Sequence, residues 1–126
     1  MGSRGPRVLL VDDEPRPRAQ LRAVLADYGV VVLGEAGDGQ EGVELACRLL
    51  PDVVLIDLRM PELDGIAATR RLAEVLPSTA VIVLSAYDDP ALRREARQAG
   101  AAAYLAKGCR TSVLVEEIAK AAGRHG

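Results

Sequence analysis

The chain has 126 residues, the size of one ordinary domain, and 49% apolar with 27% charged residues is enough to bury a core without staples. A net charge of −2 argues against a general nucleic-acid binder or a polybasic membrane binder. No apolar run approaches the roughly 20 residues that cross a bilayer, and Met1–Pro6 carries no apolar leader, so a cytoplasmic domain with no membrane partner is expected.

Val8–Val11 is the first of five short apolar runs, and it reads as a strand buried on both faces. Leu21, Val24, Leu25 and Tyr28 then fall at i, i+3, i+4 and i+7, a helix stopped by Gly29. The second run is Val30–Leu33. Val43, Ala46, Cys47 and Leu50 repeat the helical spacing before Pro51. The third run is Val53–Ile56, followed by a helix through Ile66, Thr69, Leu72, Ala73 and Leu76 that ends before Pro77. The fourth run is Ala80–Leu84. Pro90 opens the next helix through Leu92, Ala96 and Ala99, and Gly100 closes it. The fifth run, Ala102–Leu105, is Ala-rich and is placed as a strand by its position. Thr111 or Ser112 can cap a last helix through Leu114, Val115, Ile118 and Ala122, with Gly123 after it.

Strand and helix thus alternate five times. Alternation at this spacing implies right-handed crossovers and a parallel sheet. The expected fold is α/β, a flavodoxin-like five-stranded doubly wound sheet of order 2-1-3-4-5 with five helices. The domain is expected over residues 7–123. Residues 1–6 would be a disordered or cloning-derived extension, and residues 124–126 a tail.

In such sheets ligands sit beyond the carboxyl ends of the strands. Asp12, Asp13 and Glu14 follow the first run, and Asp57 follows the third. Ser85 follows the fourth, and Ala106 and Lys107 follow the fifth. Gly34, Glu35 and Ala36 follow the second. Asp12, Asp13, Asp57, Ser85 and Lys107 would converge at one edge. Three carboxylates there repel one another, and a hard cation of the Mg²⁺ type removes the repulsion. One carboxylate could then attack phosphorus, with lysine and hydroxyl neutralising the transferring group. No general base is needed, because an aspartate is ordinarily ionised at neutral pH. Each residue alone also has a plain structural use: Asp13 could simply cap the first helix ahead of Pro15.

The stretch Leu9-Leu10-Val11-Asp12-Asp13-Glu14 resembles the acidic opening of bacterial response regulator receiver domains. Val54-Leu55-Ile56-Asp57-Leu58-Arg59-Met60-Pro61 with Asp64-Gly65 resembles their phosphoacceptor strand and loop. Val83-Leu84-Ser85-Ala86 and Ala99-Gly100-Ala101-Ala102-Ala103-Tyr104-Leu105-Ala106-Lys107 resemble the hydroxyl strand and the closing segment. The resemblance covers Arg7–Ala122 and is nearest the NarL/FixJ subfamily. It implies Asp57 as phosphoacceptor, and Asp12, Asp13, Asp57 and the backbone carbonyl of Arg59 around Mg²⁺. It implies Lys107 and Ser85 on the phosphoryl oxygens, and Tyr104 turning inward in step with Ser85. The fourth helix, fifth strand and fifth helix would form the switching surface. A sensor histidine kinase would be the donor, and a C-terminal DNA-binding domain outside these residues the output. Homodimerisation on phosphorylation is an open option, as is a stand-alone receiver. Such a domain is a switch and not a turnover enzyme, although it catalyses its own phosphoryl transfer and dephosphorylation.

The chain departs from the family at Gly108, where many receivers carry proline, and at Cys109, whose thiol could have a redox role beside Lys107. Arg59 and Tyr87, two residues past Asp57 and Ser85, would line the route of attacking water. A haloacid-dehalogenase-like phosphohydrolase fits poorly, because Asp12 is followed two residues on by Glu14 and no cap insertion exists. A nucleotide carrier lacks its glycine signature: Gly34, Gly37 and Gly39 have the wrong spacing. A pseudo-receiver is disfavoured because every acidic and basic position is intact. Cys47 and Cys109 with the single histidine His125 make no zinc site, and three tyrosines offer no base-stacking platform.

Overall fold

The computed structural model describes residues 5–58, 64–87 and 89–125, with the side chains at 15–18 and 124–125 left aside. The strands are β1 (Arg7–Val11), β2 (Val31–Ala36), β3 (Val53–Asp57), β4 (Ala80–Ser85) and β5 (Ala103–Ala106). The helices are α1 (Pro15–Asp27), α2 (Gly39–Leu49), α3 (Gly65–Val75), α4 (Pro90–Ala99) and α5 (Thr111–His125). All four strand pairings are parallel, and the sheet order is β2-β1-β3-β4-β5. This is the doubly wound order that the alternation of runs implies.

Two apolar layers lie on opposite faces of the sheet, because successive side chains of a strand point to opposite sides. Leu9, Val11, Val54, Ile56, Val81 and Val83 face α2, α3 and α4, where Ala46, Leu72 and Ala96 are fully buried. Val8, Leu10, Val53, Leu55 and Ile82 face α1 and α5, against Leu25, Leu114 and Ile118. Every residue of the central strand β3 is buried. That is why its sequence is an unbroken apolar run ending in one aspartate. Close approach is needed where α2 crosses β1: a Cβ on Gly42 would lie 2.8 Å from a methyl of Val11.

Several boundaries differ from the sequence reading. β2 continues past Leu33 through Gly34, Glu35 and Ala36, which pair with Leu9, Leu10 and Val11 after a register shift at Val8/Leu9. It is an edge strand, exposed or half-buried up to Glu35, so a glycine and a charged residue are tolerated there. β5 starts and ends one residue later than its apolar run. Engagement of the chain begins before residue 7, since the Val31 N–H donates to the Pro6 carbonyl at 2.9 Å. Asp13 does not cap α1: Glu14 occupies that position without a side-chain bond, and Pro15 opens the helix. α5 does not stop at Gly123 but runs through it to His125, with Thr111 already in its first turn. A helical glycine costs about 1 kcal/mol against alanine, too little to end a helix whose other face is packed.

α2 ends on Leu50, the one non-glycine residue with positive φ (51°) among those described. This left-handed position is usually glycine, and an L-residue there costs about 1–2 kcal/mol. Leu50 is 57% exposed, so its side chain returns little packing. Leu50→Gly should therefore stabilise the protein by about 0.5–1 kcal/mol after the greater entropy of an unfolded glycine is deducted. Urea denaturation would check it, and a midpoint below that of wild type would contradict it.

Candidate functional site

The site is assembled by four strand ends. The Asp12 N–H donates to Ala36 O at 3.0 Å, so the β1–β2 ladder carries the chain into the acidic turn. There the Glu14 N–H donates to Asp12 Oδ1 at 3.0 Å, which orients the Asp12 carboxylate. Asp57 ends β3 opposite Leu84 and is 3% exposed. α3 begins hard against it: a Cβ on Gly65 would lie 2.6 Å from the Asp57 carbonyl oxygen. Asp64 caps that helix by accepting the Ala67 N–H at 2.8 Å. Asp64-Gly65 thus sets α3 directly behind the carboxylate.

Carboxylate oxygens of Asp12, Asp13 and Asp57 all lie within 4.8 Å of one another. Asp57 is buried, Asp12 half-buried and Asp13 exposed, so the cluster opens to solvent on the Asp13 side. Lys107 supplies the opposing charge. Its Nζ is hydrogen-bonded to Asp57 Oδ2 and lies 3.7 Å from Asp12 Oδ2. Its own N–H donates to Ser85 O at 2.8 Å, which ties the loop after β5 to the end of β4. Burial favours the neutral amine, but the hydrogen bond that Lys107 donates to Asp57 and the charges of Asp57, Asp12 and Glu14 outweigh it and raise the Lys107 pKa. Asp12 is also raised. Desolvation is the main cause, the Glu14 N–H opposes it, and repulsion from Asp57 adds to it against the attraction of Lys107.

Ser85 is 1% exposed, and its Oγ accepts the Tyr87 N–H at 3.0 Å. The Tyr104 hydroxyl donates to the Tyr87 carbonyl at 2.7 Å, and Tyr104 is 6% exposed. Tyr104, expected to turn inward in step with Ser85, is thus already inward here, held by the same residue that contacts Ser85. That bridging role of the Tyr87 backbone had no sequence signal, since backbone groups belong to every residue type.

Asp12, Asp13, Asp57, Ser85 and Lys107 therefore share one edge. Arg59 lies outside the described residues. Cys109 lines a groove of about 400 Å³ beside Lys107 and over Leu21 and Leu114. It packs with the α1–α5 layer, whereas exposed Cys47 rides on α2 across the sheet; both are free thiols. The peptide before Gly108 is trans. No described helix is long and apolar enough to cross a membrane.

The sequence profile described as "Response regulator receiver domain" matches residues 8–119. The chain belongs to the response regulator receiver family. It is 42% identical over 120 residues to the transcriptional regulatory protein PdtaR of Mycobacterium tuberculosis, covering 94% of this chain and 57% of that protein. It is 39% identical over 116 residues to the chemotaxis protein CheY of Thermotoga maritima, covering 92% of this chain and 97% of CheY. The signal receiver domain of the response regulator NarL from M. tuberculosis superposes with a TM-score of 0.88 at 37% identity, covering 96% and 98% of the two chains. The receiver is thus NarL/FixJ-like, and it spans little more than half of PdtaR.

A raised carboxyl binds its proton more tightly in the folded than in the unfolded protein. Asp12 therefore costs this receiver stability as pH rises through its ordinary value of 3.8 and beyond. Asp12→Asn keeps an oxygen for the Glu14 N–H and removes the charge. In magnesium-free buffer at pH 7 it should raise the Tm by about 2 °C, a gain kept small by solvent screening. The gain should vanish below pH 3.8, where wild-type Asp12 is itself protonated. A lower Tm for the variant at pH 7 would contradict this.

Proposed function

We propose that this receiver accepts a phosphoryl group on Asp57 from a sensor histidine kinase, with Mg²⁺ held at the acidic cluster. The observation that carries the reading is the buried Asp57 carboxylate, with two further aspartates within 4.8 Å and the Lys107 ammonium bonded to it. Three carboxylates, one buried, suit a hard divalent cation, and Asp12, Asp13 and Asp57 would hold it, with the Arg59 carbonyl as a further donor. Bound there, Mg²⁺ would supply positive charge to the phosphoryl oxygens and relieve the repulsion. In support, CheY of Borrelia burgdorferi, similar in structure (TM-score 0.83, 26% identity), is seen in complex with CheX, beryllofluoride and magnesium.

An Asp57 carboxylate oxygen attacks phosphorus as the bond to the donor imidazole nitrogen breaks, and the imidazole keeps the bonding electrons. Lys107 leaves Asp57 for a phosphoryl oxygen, and Ser85 donates its hydroxyl proton to another, which it can do because its oxygen is the acceptor in the bond with Tyr87. The domain spans residues 7–123 in this reading, and its self-catalysed phosphorylation and dephosphorylation set the lifetime of the signal. PdtaR, matched over 57% of its length, is a transcriptional regulatory protein, which supports a C-terminal DNA-binding output controlled by the receiver. CheY of T. maritima, matched over 97% of its length, favours a second reading as a stand-alone receiver. The size of the native protein on an immunoblot separates the two.

Asp57→Asn keeps the shape and removes the nucleophile. With acetyl phosphate and Mg²⁺, wild type should gain one phosphoryl group by intact-mass measurement and the variant none; equal labelling at an equal rate would sink the assignment. Mg²⁺ at 100 times its Kd should stabilise wild type by about 2.7 kcal/mol. Asp13→Ala should lose most of that gain, measured as the shift in Tm on adding Mg²⁺. An undiminished shift would remove Asp13 from the ligand set.

A further inference from the structure

Lys107 reaches Asp57 from the short connection between β5 and α5. Its backbone is fixed on entry, where the Lys107 N–H donates to Ser85 O at 2.8 Å. The turn then closes on itself, with the Cys109 N–H donating to Ala106 O at 3.1 Å. Side chains add little to these bonds. Ala106, Gly108 and Arg110 are exposed, and a Cβ on Gly108 would meet nothing within 4 Å. Cys109 is the one hydrophobic side chain of residues 106–110 that packs into the α1–α5 layer, the layer built on Leu25, Leu114 and Ile118. Glycine restrains a backbone least of all residues, so with Gly108 between them the place of Lys107 depends on where Cys109 is seated. The groove of about 400 Å³ lined by Cys109, Lys107, Leu21 and Leu114 lies beside the turn and leaves it room to shift once released.

We propose that Cys109 is a positioning residue for Lys107: its side chain, seated in the α1–α5 layer, holds the turn from which the Lys107 ammonium reaches Asp57. The inference rests on the phosphoryl-acceptor reading for the reaction, and on the contacts above for the anchor itself. A lysine stem is long and flexible, so its ammonium keeps one place only if its backbone does. Here the ammonium is bonded to Asp57 Oδ2 and lies 3.7 Å from Asp12 Oδ2. A phosphoryl group on Asp57 needs that charge within hydrogen-bonding reach, and a displacement of about 1 Å in such a site slows the reaction severely. A reduced thiol suits the anchor because it packs as a small hydrophobe. Serine has nearly the same shape, but its hydroxyl prefers water to an apolar layer and would draw the turn outward.

The test reads Lys107 directly. Lys107 and Lys120 are the only lysines of the chain, so lysine labelled with ¹³C at the ε-carbon gives two NMR signals, and Lys120→Arg assigns them. In wild type the two ε-protons of Lys107 should differ in shift, as expected of a held ammonium, whereas those of exposed Lys120 should coincide. Cys109→Ser should collapse the Lys107 pair toward the Lys120 pattern, and Cys109→Val, which restores an apolar side chain, should keep it split. Leu21→Ala removes more apolar volume from the same layer without touching the turn; it should lower the Tm and leave the Lys107 pair as in wild type. An unchanged pair in Cys109→Ser, a collapsed pair in Cys109→Val, or an equal collapse in Leu21→Ala overturns the anchor. Should Cys109→Ser not fold, Cys109→Ala, which deletes Sγ alone, decides by the same signal. Labelling with acetyl phosphate and Mg²⁺, followed by intact mass, then tests the reaction. Cys109→Ser should be labelled about three- to tenfold more slowly than wild type, and Cys109→Val within about twofold of it. A wild type that takes no phosphoryl group refutes the phosphoryl reading, while the Lys107 signal still decides the anchor. A Cys109→Ser protein with a collapsed Lys107 pair and the full wild-type rate refutes the positioning role alone.

Discussion

Three aspartates held within 4.8 Å at the end of an apolar sheet carry an electrostatic cost that shapes the structure around them. Like charges at that distance repel by several kcal/mol where solvent is excluded. Each is kept in place by something stronger than the repulsion. Asp57 ends a strand with no exposed residue, Asp12 continues a backbone ladder, and Asp13 keeps its access to water. Lys107 is the internal counterweight, and its raised pKa shows that the attraction of Asp57 and its acidic neighbours exceeds the cost of its burial. The site carries an excess of negative charge, and that imbalance favours a cation.

The parallel sheet makes this concentration of polar groups affordable. The strands run in parallel and end at the same edge, so β1, β3, β4 and β5 each bring a polar residue there while their interiors stay apolar. The two cores share the load on opposite faces, and the central strands cannot shift without disturbing both. Glycines allow the helices to come close where the site needs it, most plainly Gly65, which brings α3 against the Asp57 backbone. A side chain at that position would push the end of β3 and the helix apart.

The two sides of the site differ in rigidity. β1 and β3 are buried throughout except Arg7. Toward β4 and β5 the contacts become single and directional: Tyr87 to Ser85, Tyr104 to Tyr87, Arg93 over Tyr104. Directional contacts of this kind have a few discrete arrangements, whereas a packed aliphatic layer has one.

Much of this was legible from residues 8–107 alone. Unbroken Val, Leu and Ile runs with helical spacing between them dictate a parallel sheet, because only strands covered on both faces can be apolar at every position. The placing of Asp12, Asp57, Ser85 and Lys107 just past those runs follows from the same pattern, since a parallel sheet brings every strand end to one edge. What the linear pattern could not carry was set by packing and by backbone bonds. β2 extends through Gly34 and Glu35 because an edge strand pairs through its backbone and shows its side chains to water, so hydropathy stops short of it. α5 passes Gly123 because its packed face outweighs one glycine's propensity. Asp13 and Tyr104 are the clearest cases. Whether an aspartate caps a helix or faces a cluster, and whether a tyrosine points in or out, depends on partners distant in sequence. Only the tertiary structure brings the Tyr87 carbonyl to the Tyr104 hydroxyl and the Arg93 guanidinium to its ring.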